Sequence, residues 1–142
     1  MIKFEIPGEP MAQQRPKFSS CIDPKTGRKI TKAYDPVKSK DYKTYIKYIA
    51  SQHKPAELLQ GALKVSLDVY KSIPNSWSNV KKKSAKWGVL RPLTKPDLDN
   101  VAKGVLDACT KIIWNDDNQI VELIVRKYYS DNPRIEVIVE AL

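Results

Sequence analysis

The 142-residue chain contains only two cysteines and one histidine, and this scarcity excludes several kinds of site. Cys21 and Cys109 lie far apart and lack CxxC spacing, so the sequence indicates neither a zinc site nor a disulfide framework. His53 is the single imidazole, and no serine or cysteine stands out as its partner. A nucleophilic triad therefore has no support in this sequence.

Long apolar runs are also missing. No run approaches the ~20 residues that a membrane-spanning helix needs. The N-terminus alternates from Ile2 to Ile6 and lacks the apolar region of a signal peptide. With 42% hydrophobic and 29% charged residues, we expect one globular domain over residues 1–142, located in the cytoplasm and without a membrane partner.

Acidic residues are fewer than basic ones, at 16 against 25, which gives a net charge of +9. Such an excess favours a polyanionic partner, and nucleic acid is the first candidate. Besides the loop at 25–32, the predicted DNA-binding residues are Arg15, Lys17, Lys81, Lys82, Lys83 and Lys86. Each lysine run has the alternative interpretation of a solvated face. Candidates for stacking on unpaired bases, or for packing within the fold, are Phe18, Tyr34, Trp77 and Trp87.

Hydrophobic periodicity predicts an α+β fold. Period-two alternation predicts strands at 2–6 and 63–70, and β-rich composition predicts strands at 120–129 and 135–139. Helical spacing predicts helices from Asp35-Pro36 to about 54 and over 97–113. Residues 77–87 are a third, short helical candidate. Residues 7–34 are interpreted as a long basic loop with at most a short hairpin near Thr26-Gly27. A small mixed sheet of about four strands with two or three helices packed on it is the expected architecture.

Asp97 and Asp99 form the most specific local pattern in the chain. Two carboxylates held close together repel each other unless a cation lies between them. Mg²⁺ suits such a pair because it binds one or two carboxylates together with water and phosphate oxygens. Helical spacing would place Lys103 on the same helix face as Asp99. The alternative is that both aspartates only favour the start of a helix.

Asp116-Asp117 follows the predicted helix and is a candidate for a third ligand, or simply a polar turn. A helix of about 15 residues is about 22 Å long, so Asp117 would begin far from Asp97. The pattern leaves open whether a bend, the following strand or a second subunit closes this gap.

Taken together, these motifs resemble the RusA-like Holliday junction resolvases, in particular phage and prophage members. The resemblance covers most of the chain and rests on Lys95-Pro96-Asp97-Leu98-Asp99-Asn100, Lys103, Asp107 and Trp114-Asn115-Asp116-Asp117-Asn118-Gln119-Ile120-Val121-Glu122. The opening Ile2–Gly8 and the segment Gln14-Arg15-Pro16-Lys17-Phe18 add to it. Relatives often have arginine at position 17, so the lysine weakens the expectation of a bidentate phosphate contact there.

The resemblance implies a homodimer that nicks four-way DNA junctions in recombination and repair. It implies that Asp97, Asp99 and Asp117 bind Mg²⁺, with Mn²⁺ as a substitute, that Lys103 is the catalytic lysine, and that Asp116 is a candidate helper. A homodimer suits two symmetric nicks, since a two-fold axis relates two sites. Three alternatives stay open: a nuclease for flaps, forks or other branched DNA, a non-catalytic junction-binding protein, and an accessory protein whose ligand is another protein.

Overall fold

The computed structural model describes residues 1–13, 17–34 and 37–142. The predicted helix start at Asp35-Pro36 and the predicted DNA contact Arg15 lie outside these residues. The elements are β1 (Ile2–Pro7), β2 (Lys17–Ile22), β3 (Lys29–Tyr34), α1 (Val37–Ser51), β4 (Leu63–Ser72), α2 (Asn79–Lys86), α3 (Leu98–Cys109), a 3₁₀ turn (Asp117–Gln119), β5 (Ile120–Ser130) and β6 (Arg134–Ala141).

Four strands form the main sheet in the order β1-β6-β4-β5. β4 runs parallel to β5 and antiparallel to β6, and β6 is antiparallel to β1, so the sheet is mixed. The chain between the two parallel strands contains α2 and α3. The prediction of a mixed sheet of about four strands with two or three helices is confirmed.

The core lies between one face of this sheet and the helices α1 and α3. The predicted alternation of β4 is present in the structure. The residues between its buried positions are partly exposed, and the buried positions are Leu63, Val65, Leu67 and Val69. In α3, Val101 and Val105 face the core, whereas Asp99 and Lys103 are exposed. Helix α3 therefore turns its charged face to solvent because its apolar stripe is anchored on the sheet. Within the described ranges, no helix is both long and apolar enough to cross a membrane.

The region 7–34 has a hairpin around Thr26-Gly27, as the sequence suggested, but its strands are longer than a loop with a short hairpin would have. β2 and β3 pair along six residues each, from Lys17 opposite Tyr34 to Ile22 opposite Lys29. Asp23 closes the turn between them by accepting hydrogen bonds from the Lys25 amide (2.9 Å) and the Thr26 hydroxyl (3.0 Å). The sequence did not reveal the length of these strands because the hairpin buries little, as the 72% exposure of Phe18 and Ile22 shows.

The end of α3 is a second correction. The helix stops at Cys109 and not at residue 113, because Thr110 is extended and Lys111 adopts a left-handed conformation with φ of 70°. The Lys111 amide then donates to the Trp114 carbonyl at 2.7 Å. Ile113 and Trp114 are fully buried in this reversal. Their apolar side chains therefore extend the helical spacing in the sequence, although the helix itself has already ended.

Candidate active site

The N-terminus of α3 carries the paired aspartates. Asp97 is the residue before the first turn, with an extended backbone (φ −74°, ψ 136°), and its carbonyl accepts from the Val101 amide at 3.1 Å. Its carboxylate makes no capping hydrogen bond. Asp99 lies in the first turn, and its carboxylate has no hydrogen bond or ion pair to any of the described residues. Both carboxylates are therefore exposed and available to a ligand.

Asp117 is held at the opposite end of α3 by two donors. Its Oδ1 accepts from the Thr110 hydroxyl and from Trp114 Nε1, the latter at 3.1 Å. Trp114 is fully buried, so its indole nitrogen is a fixed donor. Among the described residues, Oδ2 of Asp117 accepts no hydrogen bond. Two donors on one oxygen orient the carboxylate and leave the other oxygen for a ligand.

Cys109 shows how near Asp117 lies to the core. Burial raises the pKa of its thiol to about 12, and the charge of Asp117 adds to this effect. The thiol is therefore protonated near neutral pH and is not a candidate ligand.

A pocket of about 580 Å³ unites most of the predicted catalytic residues. Asp99, Lys103 and Asp107 from α3 line it together with Asp117. The apolar part of the wall comes from Leu98, Ala102, Leu106, Leu123 and Val125. The early end of α3 explains the arrangement, because the chain reverses at once and sets the 3₁₀ turn and β5 beside the charged helix face.

Asp97 lines a neighbouring cavity of about 520 Å³, together with Glu9, Lys71, Lys95 and Asn100. In residues 1–13, 17–34 and 37–142, no three His, Cys, Asp or Glu side chains lie close enough to hold one metal ion. The structure thus brings Asp99, Lys103 and Asp117 to one pocket and places Asp97 beside it. The assignment of all three aspartates as ligands stays a prediction.

Two lysines near Asp97 were missed by the sequence reasoning. The Lys71 ammonium donates to Thr94 Oγ1 (2.6 Å) and to the Lys95 carbonyl (2.7 Å), and Lys127 donates to the Thr94 carbonyl (2.5 Å). Burial and the charge of Lys71 lower the pKa of Lys127, while the charge of Asp97 acts in the opposite direction. The available signal was a lysine that continues the apolar, inward-facing positions of a strand, as in Val69-Tyr70-Lys71.

Asp116, the candidate helper, caps the 3₁₀ turn. Its carboxylate accepts from the Asn118 amide at 3.1 Å, and the Gln119 side chain completes a capping box. The side chain is exposed and does not line the pocket with Asp117. A structural role in the turn thus accounts for Asp116.

The predicted DNA-contacting lysines of the second half of the chain all lie on α2. Lys81 stacks over the Trp77 ring with its nitrogen 4.0 Å from the centroid, and Lys86 pairs with Asp131 at 2.7 Å. Lys82 and Lys83 make no such contact with the described residues. Lys17 begins β2.

The aromatic candidates for base stacking separate into two groups. Trp77 packs edge-on against Tyr129 with ring centroids 5.1 Å apart, which supports the packing interpretation for this residue. Phe18 and Trp87 are 72% and 79% exposed, so both are accessible to an unpaired base.

The donor set of the pocket fits a hard divalent cation. Asp99 and Asp117 supply carboxylate oxygens, the thiol of Cys109 is buried and protonated, and His53 stacks on Phe4 outside the pocket. Mg²⁺ needs only one or two protein carboxylates when water and substrate phosphate complete its shell. The residues present are therefore compatible with such an ion.

Comparison with known proteins gives one family. The family model described as "Endodeoxyribonuclease RusA" matches residues 7–140. The chain is also 46% identical over 140 residues to a Bacillus subtilis (strain 168) protein whose name reads "Uncharacterized protein YqaN". This match covers 97% of the present chain and 94% of the Bacillus protein.

Proposed function

Because the chain belongs to the RusA family of endodeoxyribonucleases, which act on Holliday junctions, we propose that it resolves four-way DNA by paired symmetric nicks with Mg²⁺ held by Asp97, Asp99 and Asp117. Endonuclease activity and dependence on a divalent metal follow from the family. The identity of the metal, the ligands and the geometry of cleavage are the proposal. The observation that supports it best is the pocket shared by Asp99, Lys103 and Asp117.

In the proposed reaction the metal ion, the residues that orient Asp117, and Lys103 have separate tasks. A bound divalent ion would supply positive charge that polarises the scissile phosphate and acidifies a water molecule. Thr110 and Trp114 keep the Asp117 carboxylate turned with one oxygen free. Lys103 extends its ammonium from the same helix face as Asp99 and neutralises charge that develops on the phosphate oxygens.

Helix α2 supports the proposal that DNA is bound through its phosphates. Four of its eight residues are lysines. Lys83 is exposed and has no ion pair among the described residues. Lysine contacts to phosphate provide affinity and orientation without sequence information. A dimer would carry twice +9, that is +18, so junction binding should weaken steeply with salt.

Strand β5 is the surface that we propose for the homodimer. It lies at the edge of the sheet, and no other described strand pairs with its outer side. Val121 and Leu123 on this edge are 61% and 44% exposed. Antiparallel pairing of two copies about Ile124 would set Glu122 of one copy opposite Arg126 of the other. Opposite charges at directly paired positions stabilise a sheet, whereas centring the pairing on Glu122 would oppose like charges.

The edge has a natural limit. Arg91 Nε donates to the Lys127 carbonyl at 2.9 Å and thereby covers the strand near that residue. The stretch from Ile120 to Arg126 has an outer edge that is free of other described strands, and it includes Glu122 and Arg126, the two residues that pair in the register about Ile124. A two-fold axis there would relate two identical pockets, as two symmetric nicks require. Pairing through β5 would also bring acidic side chains of a second copy close to the pocket, whereas the described part of one chain does not converge three acidic side chains on one ion. Cytoplasmic location and prophage origin are the remaining parts of the proposal.

The test is cleavage of a labelled, immobile four-way junction by wild type and by Asp99→Asn, with and without Mg²⁺. We expect paired symmetric nicks by wild type only with the metal, and binding without cutting by the variant. Asp41→Asn, at an exposed position of α1, is the matched control and should cut normally.

Two outcomes would favour the alternatives. Equal cutting of flaps, forks or linear duplex would indicate a nuclease without four-way preference. Binding of the junction by wild type without cutting, in either Mg²⁺ or Mn²⁺, would indicate a non-catalytic binding protein.

A further inference from the structure

Two strand lysines converge beneath the segment that leads into α3. Lys71 on β4 and Lys127 on β5 occupy the sheet face that also carries Val69, because Val69 lies opposite Lys127 in the parallel register. The Lys71 ammonium donates to Thr94 Oγ1 and to the Lys95 carbonyl, and the Lys127 ammonium donates to the Thr94 carbonyl, so both reach Thr94. We call Lys71 and Lys127 the lysine pair.

The segment 91–96 depends on side chains for its position. In the described part of the chain, none of its residues takes part in a backbone–backbone hydrogen bond. The carbonyls of Thr94 and Lys95 are instead satisfied by the lysine pair. The chain therefore enters Asp97 from Thr94 and Lys95, whose carbonyls are held by two ammonium groups that rise from the sheet.

Placing two like charges side by side is unfavourable, and an apolar pair would pack on the sheet without that cost. What balances the charges here is a set of carbonyl and hydroxyl oxygens together with the nearby carboxylate of Asp97. Lys71 also lines the cavity that contains Asp97.

We propose that Lys71 and Lys127 are positioning residues that hold Thr94 and Lys95, and thereby set the place of Asp97 relative to the pocket of Asp99 and Asp117. This role differs from that of Lys103, which lines the pocket itself. The inference rests on the proposed function, because it requires that Asp97 contributes to metal-dependent cleavage.

The test replaces each lysine by methionine, which keeps the aliphatic stem and removes the ammonium. Readouts are the single-turnover cleavage rate of a four-way junction, its binding in the absence of a metal, and the Mg²⁺ concentration that gives half-maximal rate. For Lys127→Met and Lys71→Met we expect cleavage to fall by about 10- to 100-fold, as for other residues that support metal ligands. The half-maximal Mg²⁺ concentration should rise, and junction binding should stay within about twofold of wild type, since the phosphate contacts lie elsewhere.

Two further variants separate positioning from general stability. Lys64→Met is the matched control on the other face of β4, where Lys64 lies 3.9 Å from Glu122 and Glu140, and it should cut like wild type. Lys71→Arg keeps donors for the same acceptors and should recover most of the lost rate. Thr94→Val removes only the hydroxyl that Lys71 contacts, so it carries the test if a methionine variant does not fold. It should raise the half-maximal Mg²⁺ concentration, but by less than the methionine variants do.

The outcomes distinguish this inference from the proposed function. If wild type does not cut in Mg²⁺ or Mn²⁺, the proposed function fails. If wild type cuts and both methionine variants keep its rate and metal dependence, the lysine pair has no positioning role. A parallel loss of binding and cleavage would make the lysines DNA contacts and would also overturn the inference.

Discussion

Removal of the Thr110 hydroxyl is the sharpest test of how Asp117 is prepared for a ligand. The hydroxyl lies between two acceptors, Oδ1 of Asp117 and the Leu106 carbonyl, the latter at 2.9 Å. It has one proton, which favours the charged acceptor because charge-assisted hydrogen bonds are the stronger kind. Thr110→Val is close to isosteric, so it removes this donor and keeps the shape of the side chain.

The structure sets the size of the expected effect. A hydrogen bond to a charged group contributes about 1.5–3 kcal/mol. The lower end applies here, because Asp117 is only half-buried and Trp114 Nε1 remains as a second donor at 3.1 Å. A loss of about 1.4 kcal/mol corresponds to tenfold in an equilibrium constant or a rate. We therefore expect the half-maximal Mg²⁺ concentration for junction cleavage to rise by about tenfold in Thr110→Val.

The assay is single-turnover cleavage across a Mg²⁺ titration, with thermal unfolding measured on the same samples. Thr44→Val is the matched control, since the Thr44 hydroxyl donates to the Lys40 carbonyl at 3.0 Å in the same way but contacts no carboxylate. Saturating Mg²⁺ should restore most of the rate in Thr110→Val. An unchanged metal dependence in a folded Thr110→Val would refute the reasoning that this hydroxyl orients a ligand.

Two other predictions follow from the pocket and the sheet edge. Lys103→Ala should lower the cleavage rate far more than junction affinity, because its ammonium stabilises charge that develops in the reaction; equal losses in rate and affinity, measured side by side, would contradict this role. Ile124→Cys should form an intermolecular disulfide under mild oxidation, since a residue at the two-fold axis of paired strands lies opposite the same residue of the other copy. The background carries Cys21→Ser because Cys21 is exposed, whereas Cys109 is buried. Ile138→Cys on the inner strand β6 is its control, and cross-linking there but not at 124 would rule out pairing through β5.

The elements with strong periodicity were predictable from local sequence. The alternation from Leu63 to Val69 and the apolar stripe through Val101 and Val105 predicted a half-buried strand and an amphipathic helix, and both are present. Burial is the reason, because a segment that packs on a core must repeat its apolar residues with the period of its own backbone. The hairpin of β2 and β3 has almost no core contact, so no such repeat marks it.

The Asp-x-Asp motif, Lys103 and the Asp-Asp pair were visible in the sequence because their residue types and order are specific. Their spatial relation was not, since it depends on where α3 ends. Residues 112 and 113 continue the apolar spacing of the helix, yet the chain leaves the helix at Thr110 and reverses through Lys111. That reversal brings Asp117 to the pocket of Asp99.

By itself, the sequence determined the class of fold, the family and the identity of the candidate catalytic residues, because these depend on local patterns of burial and on the chemistry of side chains in a fixed order. Only the tertiary structure decided which side chains meet. It set Lys71 and Lys127 side by side through the parallel register of β4 and β5, and it placed Thr110 and Trp114 on one oxygen of Asp117. Such contacts join residues distant in sequence or lying beyond the end of a helix, and no local period encodes them.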